Sequence, residues 1–332
     1  MRTVYALTLV IALGGCEKEP FPQPLKLGGK VVSAATLNAG QEGYMLYCYA
    51  CHGEKGDGHG PSAPGLRPPP RDFRLGKFKF AAVPSGQLPN DDDFVRIVKN
   101  GLHGTAMLAW DVPDVTLRNI IQYLKTFSPR WKDEEPGEAL KPSPDPYGAA
   151  RKAEAIGLGK KIYHGLAQCW VCHPAYTTRQ DMHDAAKELR HVEQTEFRDD
   201  LYNPALKDSD YEIPGEAGKK LNILPPDFTV QQLRSIRDGH ELEDFYRVIG
   251  SGIGGTAMPQ WKGTGAITEE QLWAMAYYVK SLYDLRDTAG ARQLKATLQS
   301  QPEWKPPTPP PTAPPGPPGP SAPPAPKTPE KK

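Results

Sequence analysis

Two short motifs constrain this chain more than anything else in it. Cys48-Tyr-Ala-Cys51-His52 recurs 121 positions later as Cys169-Trp-Val-Cys172-His173. Each sets two thiols three residues apart, with an imidazole beside the second. A longer segment also repeats. Phe94-Val-Arg96 through Gly101-Leu-His-Gly104-Thr105-Ala106-Met107-Leu-Ala-Trp110 lines up with Phe245-Tyr-Arg247 through Gly252-Ile-Gly-Gly255-Thr256-Ala257-Met258-Pro-Gln-Trp261 at an offset of 151. The chain is therefore an internal duplication, with about thirty extra residues in the second copy. The surplus falls in 183–220, a polar, charged stretch that reads as a surface insertion.

C-x-x-C-H is the attachment signature of c-type haem. Cys48 and Cys51, and again Cys169 and Cys172, can reach the two vinyl groups of one porphyrin and form thioethers. His52 and His173 then sit beneath the iron. A sixth ligand must come from the opposite side. Met45 shares a helix with its motif and points the wrong way. Met275 lies in a late helix, and Met182 lies at the edge of the insertion. Met107 and Met258 occupy matching places in glycine-rich loops, where the backbone can approach a flat ligand closely. Two haem c groups, each with His/Met ligation, are the expected cofactors. A soft thioether favours ferrous iron and closes it to substrates, which points to electron transfer.

Apolar spacing predicts helices before each motif, at Gly40-x-x-x-Tyr44 and Gly159-x-x-x-Tyr163. It also predicts helices after each methionine, at 117–127 and 272–282. Thr268-Glu-Glu-Gln271 supplies a capping box for the last of these. No strand pattern stands out, so the expected class is mostly α: two tandem helical domains with long haem-wrapping loops. The expected segments are a signal peptide (1–15), a tether (16–35), domain one (36–128) and a linker with five prolines (129–152). Domain two (153–285) follows, then a helical extension (286–301) and a disordered tail (302–332). That tail holds 15 of the 37 prolines.

The start carries one arginine and an apolar run of about ten residues, too short to cross a bilayer, which needs roughly 20. Leu13-Gly-Gly-Cys16 follows. This reads as a secretory signal ending in a lipobox, with Cys16 lipidated and the protein anchored on the periplasmic side of the cell envelope. Basic and acidic residues nearly cancel, with 40 Lys+Arg against 39 Asp+Glu. That balance excludes a protein built to coat nucleic acid.

Each half resembles a class I-type cytochrome c, and Cys51-His-Gly-Glu-Lys-Gly-Asp-Gly-His-Gly-Pro61 is typical of those that serve respiratory oxidases. The resemblance implies that Gly40, Tyr44 and Tyr123, and likewise Gly159, Tyr163 and Tyr278, mark the crossing of first and last helices. It implies a proline carbonyl orienting each histidine, with Pro68 to Pro70 and Pro225-Pro226 as candidates. It also implies redox protein partners, a respiratory complex or a terminal oxidase or reductase. Pro174 departs from the pattern, standing where the first copy has Gly53.

Other residues carry two readings. Arg96 and Arg247 neutralise haem propionates or form surface salt bridges. Trp110 and Trp261 wall the haem or simply pack. His103 is a rival ligand, but its repeat partner is Gly254. His59, His164, His183, His191 and His240 read as solvated, and Asp91, Asp92 and Asp93 as a helix cap or as part of a docking surface. The rival function is a dihaem peroxidase, an enzyme that needs one openable iron. A storage role without a redox partner is a further alternative.

Overall fold

The computed structural model describes residues 19–213 and 216–307. Cys16, the signal segment and most of the proline-rich tail lie outside the described residues. The architecture is mostly helical, as the sequence implies.

The first half opens on a short antiparallel hairpin, β1 (Leu25–Leu27) and β2 (Lys30–Val32). Helix α1 (Ala34–Tyr47) follows, started by the Ser33 hydroxyl accepting from the Thr36 amide, and α2 (Tyr49–His52) carries the first motif. Helix α3 (Asp91–Asn100) begins with a capping box between Asn90 and Asp93. Its three aspartates favour the positive end of the helix dipole. Helix α4 (Asp114–Lys125) then crosses α1, and α5 (Arg130–Asp133) closes the half. The crossing is a backbone approach. A side chain on Gly40 would meet the Asn119 carbonyl, its Cβ only 2.2 Å from that oxygen. Tyr44, Leu117, Ile120, Ile121 and Trp131 fill the core beneath.

The second half repeats the plan. Helix α6 (Lys152–Lys161) crosses α9 (Glu269–Tyr283) at Gly159, whose Cβ would lie 2.1 Å from the Ala274 carbonyl oxygen. Helix α8 (Glu241–Ser251) matches α3. Thr268 and Gln271 cap α9 reciprocally, as their spacing predicts. Tyr163, Tyr246, Met275 and Tyr278 lie in one buried core. Among the described residues no helix is long and apolar enough to cross a membrane.

Several expected segments turn out differently. Part of the 16–35 tether is the hairpin, because Leu27 and Val32 are buried in the first core and the Gly28 amide donates to the Trp131 carbonyl. The 129–152 linker is a strap fastened to both halves. Trp131 is fully buried in the first core, the Leu140 amide donates to the Ala82 carbonyl, and Tyr147 is buried in the second core. The 183–220 insertion is not merely a surface addition. His183, at its start, is buried on α7 (Arg179–Arg190) beside Met182, and Leu201, Tyr202 and Tyr211 are buried beyond that helix. It also carries the small hairpin β3 (Glu212–Ile213) and β4 (Glu216–Lys220). The 286–301 extension is a separate helix, α10 (Ala289–Gln299), set off by Asp287 at φ 61. The tail starts with an attachment: Trp304 packs edge-on against Phe197 and donates to Gln180 Oε1.

Candidate haem-binding sites

Each C-x-x-C-H motif lies directly after the helix that carries the crossing glycine. The first follows α1 with only the Cys48 turn between. The second has two additional residues to accommodate, since Tyr44 precedes Cys48 by four and Tyr163 precedes Cys169 by six. A π turn at Ile162–Leu166 and Gln168 at φ 51 absorb them. Extra residues inside helices are commonly taken up this way near functional sites. The tyrosine tie survives the insertion. The Tyr44 hydroxyl donates to the Gly53 carbonyl at 2.7 Å, and the Tyr163 hydroxyl donates to the Pro174 carbonyl at 2.9 Å. Pro174 therefore does what Gly53 does, because only the carbonyl is required.

None of the four motif cysteines is in a disulfide. Before any thioether forms, burial pushes the Cys48 and Cys169 thiols up to about 12. His52 Nδ1 pairs with the Arg71 carbonyl at 3.1 Å, and His173 Nδ1 with the Pro226 carbonyl at 3.0 Å. Proline supplies the carbonyl in the second half only. In the first half it is Arg71, at the position that matches Pro226. Each imidazole is stacked on a phenylalanine, Phe73 at 4.5 Å and Phe228 at 4.8 Å between centroids. The repeated Asp72-Phe73 and Asp227-Phe228 pairs signal this stacking in the sequence. Burial lowers both imidazoles, His173 to about 4. Both are therefore neutral, with a lone pair to offer.

Nε2 distinguishes these two histidines from the buried His164 and His183. Among the described residues it has no hydrogen-bond partner in His52 or His173. His164 has both nitrogens engaged, by the Lys160 carbonyl and the Tyr176 amide. His183 is likewise engaged by the Gln194 carbonyl and Glu193. His164 and His183 are thus buried residues satisfied by protein groups, and not solvated as their polarity suggests. A neutral imidazole with one fixed and one free nitrogen, beside two thiols, fits a covalently attached iron porphyrin.

The methionine loops have the same internal wiring. The Leu102 amide donates to the Met107 carbonyl and the Met107 amide to the Thr105 hydroxyl. In the second copy the Ile253 amide donates to the Met258 carbonyl, and the Met258 amide to the Thr256 hydroxyl. Gly101 and Gly252 hold φ of 69 and 70, and Gly104 and Gly255 hold 67 and 71, which a side chain would strain. Met107 and Met258 are both half-buried, whereas Met45 is exposed and Met182 and Met275 are fully buried.

Arg96 and Arg247 occupy equivalent places. Each pairs with the aspartate three residues before it, Asp93 or Asp244, and donates to a loop carbonyl, Phe80 or Ser235. These are not surface bridges. Arg247 is buried, and burial together with the nearby Arg96 pushes its guanidinium down to about 10. Among the described residues its Nε and Nη1 have no hydrogen-bond partner. Trp110 is 46% exposed, while Trp261 packs on the second core. His103 presents its amide to the Arg234 carbonyl of the other half at 3.0 Å. In the reverse direction Gly254 abuts the Phe78 carbonyl, so closely that a Cβ would sit 2.3 Å from the oxygen. Each methionine loop thus touches the opposite half.

Residues 35–124 match the family model of cytochrome c oxidase, cbb3-type, subunit III. The chain is also similar to a solved chain of the Kuenenia stuttgartiensis reducing HAO-like protein complex. That similarity has 28% identity and a TM-score of 0.55, and covers 74% of this chain and 95% of that one. No curated protein matches the sequence. The first half therefore carries a c-type cytochrome domain, which implies haem c and electron transfer.

Proposed function

We propose that this chain is a membrane-anchored dihaem cytochrome c that passes single electrons between respiratory-chain donors and acceptors at the periplasmic face of the cell envelope. The observation that carries the reading is the second copy of the site. The family match ends at residue 124, yet His173 is held by the same kind of carbonyl and stacked ring as His52. The Met258 loop also repeats the bonds of the Met107 loop. The solved relative supports it too, since 74% of the chain is more than either half provides alone.

Bound haem supplies a one-electron couple at each site. Cys48 and Cys51 would hold one group, and Cys169 and Cys172 the other. The Arg71 and Pro226 carbonyls fix the imidazole planes and leave Nε2 of His52 and His173 as the nitrogens that would hold the iron. Met107 and Met258 would fill the opposite position, which leaves none for peroxide. That is why a peroxidase reading is not favoured. Both methionine loops touch the opposite half, which supports two sites close enough for single-electron hopping. Cys16 would carry the lipid anchor. The relative's place in a complex supports a redox protein as partner.

The deciding experiment combines a haem count per chain with optical and magnetic-resonance spectra of the oxidised holoprotein. The expected result is two low-spin haems per chain, each with methionine-to-ferric charge-transfer absorption. One haem, or one high-spin iron with rapid peroxide turnover, would defeat the proposal.

A further inference from the structure

The residues that the second half has and the first lacks are braced against one element of its site. Lys207 and Ile223 bond to each other through their backbones, pinching off a loop. Three consecutive residues of that loop sit on the Met258 segment. Ser209 forms a backbone bridge with Thr256, the Asp210 amide donates to the Gly255 carbonyl at 2.9 Å, and the Tyr211 hydroxyl donates to the Gly254 carbonyl at 2.8 Å. The Tyr211 ring covers Gly255 so closely that a Cβ there would lie 2.8 Å from it. Thr256 in turn holds the Met258 amide.

The Met107 loop has the same internal bonds and, among the described residues, no such brace. Space over Gly104, the counterpart of Gly255, is open to beyond 4 Å. Its contact with the other half is the His103 amide on the Arg234 carbonyl. The Tyr211 ring, by contrast, is fixed from both sides of the interface. The Arg71 guanidinium lies 4.1 Å and the Lys79 ammonium 4.7 Å from its centroid. Buried cation–ring contacts of this kind are stronger than exposed ones.

We propose that Tyr211 is a positioning residue that makes the axial bond of Met258 the inert one and leaves that of Met107 labile. Displacing an axial methionine requires its loop to swing away, and a loop tied at three successive residues opens less often than one tied at a single amide. The insertion thereby gives two sites of the same donor set different resistance to a competing ligand. The inference rests on the axial assignment above.

The test uses full-length holoprotein and imidazole as the competing ligand. Charge-transfer absorption is followed in Met107→Ala, which reports Met258 alone, and in Met258→Ala, which reports Met107 alone. The expected imidazole midpoint is at least about tenfold higher for the Met258 bond, from two or three extra hydrogen bonds of ordinary strength. Adding Tyr211→Phe, which keeps the ring, should lower the Met258 midpoint about three- to tenfold. Tyr211→Leu should lower it further, and Tyr211→Phe, which keeps the ring on Arg71, should not move the Met107 midpoint. Equal midpoints for the two bonds would overturn the inference. So would a Tyr211→Phe effect that is absent, or equal at both sites, as general loosening would give. If removing either methionine leaves the absorption unchanged, the axial assignment itself fails. The two failures are therefore told apart.

Discussion

At the scale of single residues, chemistry sorts the histidines better than polarity does. His164 and His173 are both buried, but only His173 keeps a nitrogen free. Burial lowers the His164 imidazole to about 3, so the folded protein holds it neutral while the unfolded chain takes up a proton near pH 6.5. The unfolded state binds more protons in that window. The stability it contributes is therefore full above about pH 6.5 and is lost as pH falls towards 3. His164→Gln keeps an acceptor and a donor but cannot titrate. Denaturant unfolding of the two holoproteins should show the wild type losing stability faster than the variant between pH 6.5 and 4, at up to about 1.4 kcal/mol per pH unit. Parallel pH profiles would contradict this. The two C-x-x-C-H motifs stand out in the sequence because covalent attachment demands fixed spacing, and Met107 and Met258 because the Gly-Thr-Ala-Met segment repeats. Arg71 was not, because its backbone oxygen does the work and any side chain permits that. His164 was misread because nothing in a sequence marks which polar atoms find partners at long range.

At the scale of elements, the helix crossings were legible and the additions between them were not. Gly40 and Gly159 are readable because only a missing side chain lets two backbones touch. On α6 this gives a test within one turn. Gly159→Ala drives a Cβ into the Ala274 carbonyl and should destabilise the second half by about 1–3 kcal/mol. Gly157→Ala, with nothing within 4 Å of its Cβ, should stabilise the same helix by about 1 kcal/mol through propensity alone. Thermal melts of the two variants should shift in opposite directions. A shift of the same sign would mean that the crossing is looser than described. The β1–β2 hairpin escaped the sequence reading because three-residue strands carry almost no period. The insertion escaped it because its buried residues, Leu201, Tyr202 and Tyr211, are isolated in a charged context. They lie in irregular chain beyond α7, with no amphipathic repeat of their own to announce them.

At the scale of the whole molecule, the duplication was plain in the sequence, but the docking of its halves was not, since backbone contacts leave no compositional trace. Gly254 is one such contact. Gly254→Ala places a Cβ against the Phe78 carbonyl of the other half. It should part the halves at that edge, so the radius of gyration in solution scattering should rise while the absorption due to Met107 persists. An unchanged radius would show that the interface yields without opening. The same two kinds of segment meet from both sides: the His103 loop on the Arg234 strand of chain, and Gly254 on the Phe78 strand. A surface that is its own complement is the hallmark of two-fold association between identical subunits. The halves of this one polypeptide thus meet as the two subunits of a two-fold dimer would, through equivalent segments. In such an arrangement the strap from Trp131 to Tyr147 mainly raises the local concentration of one face near the other.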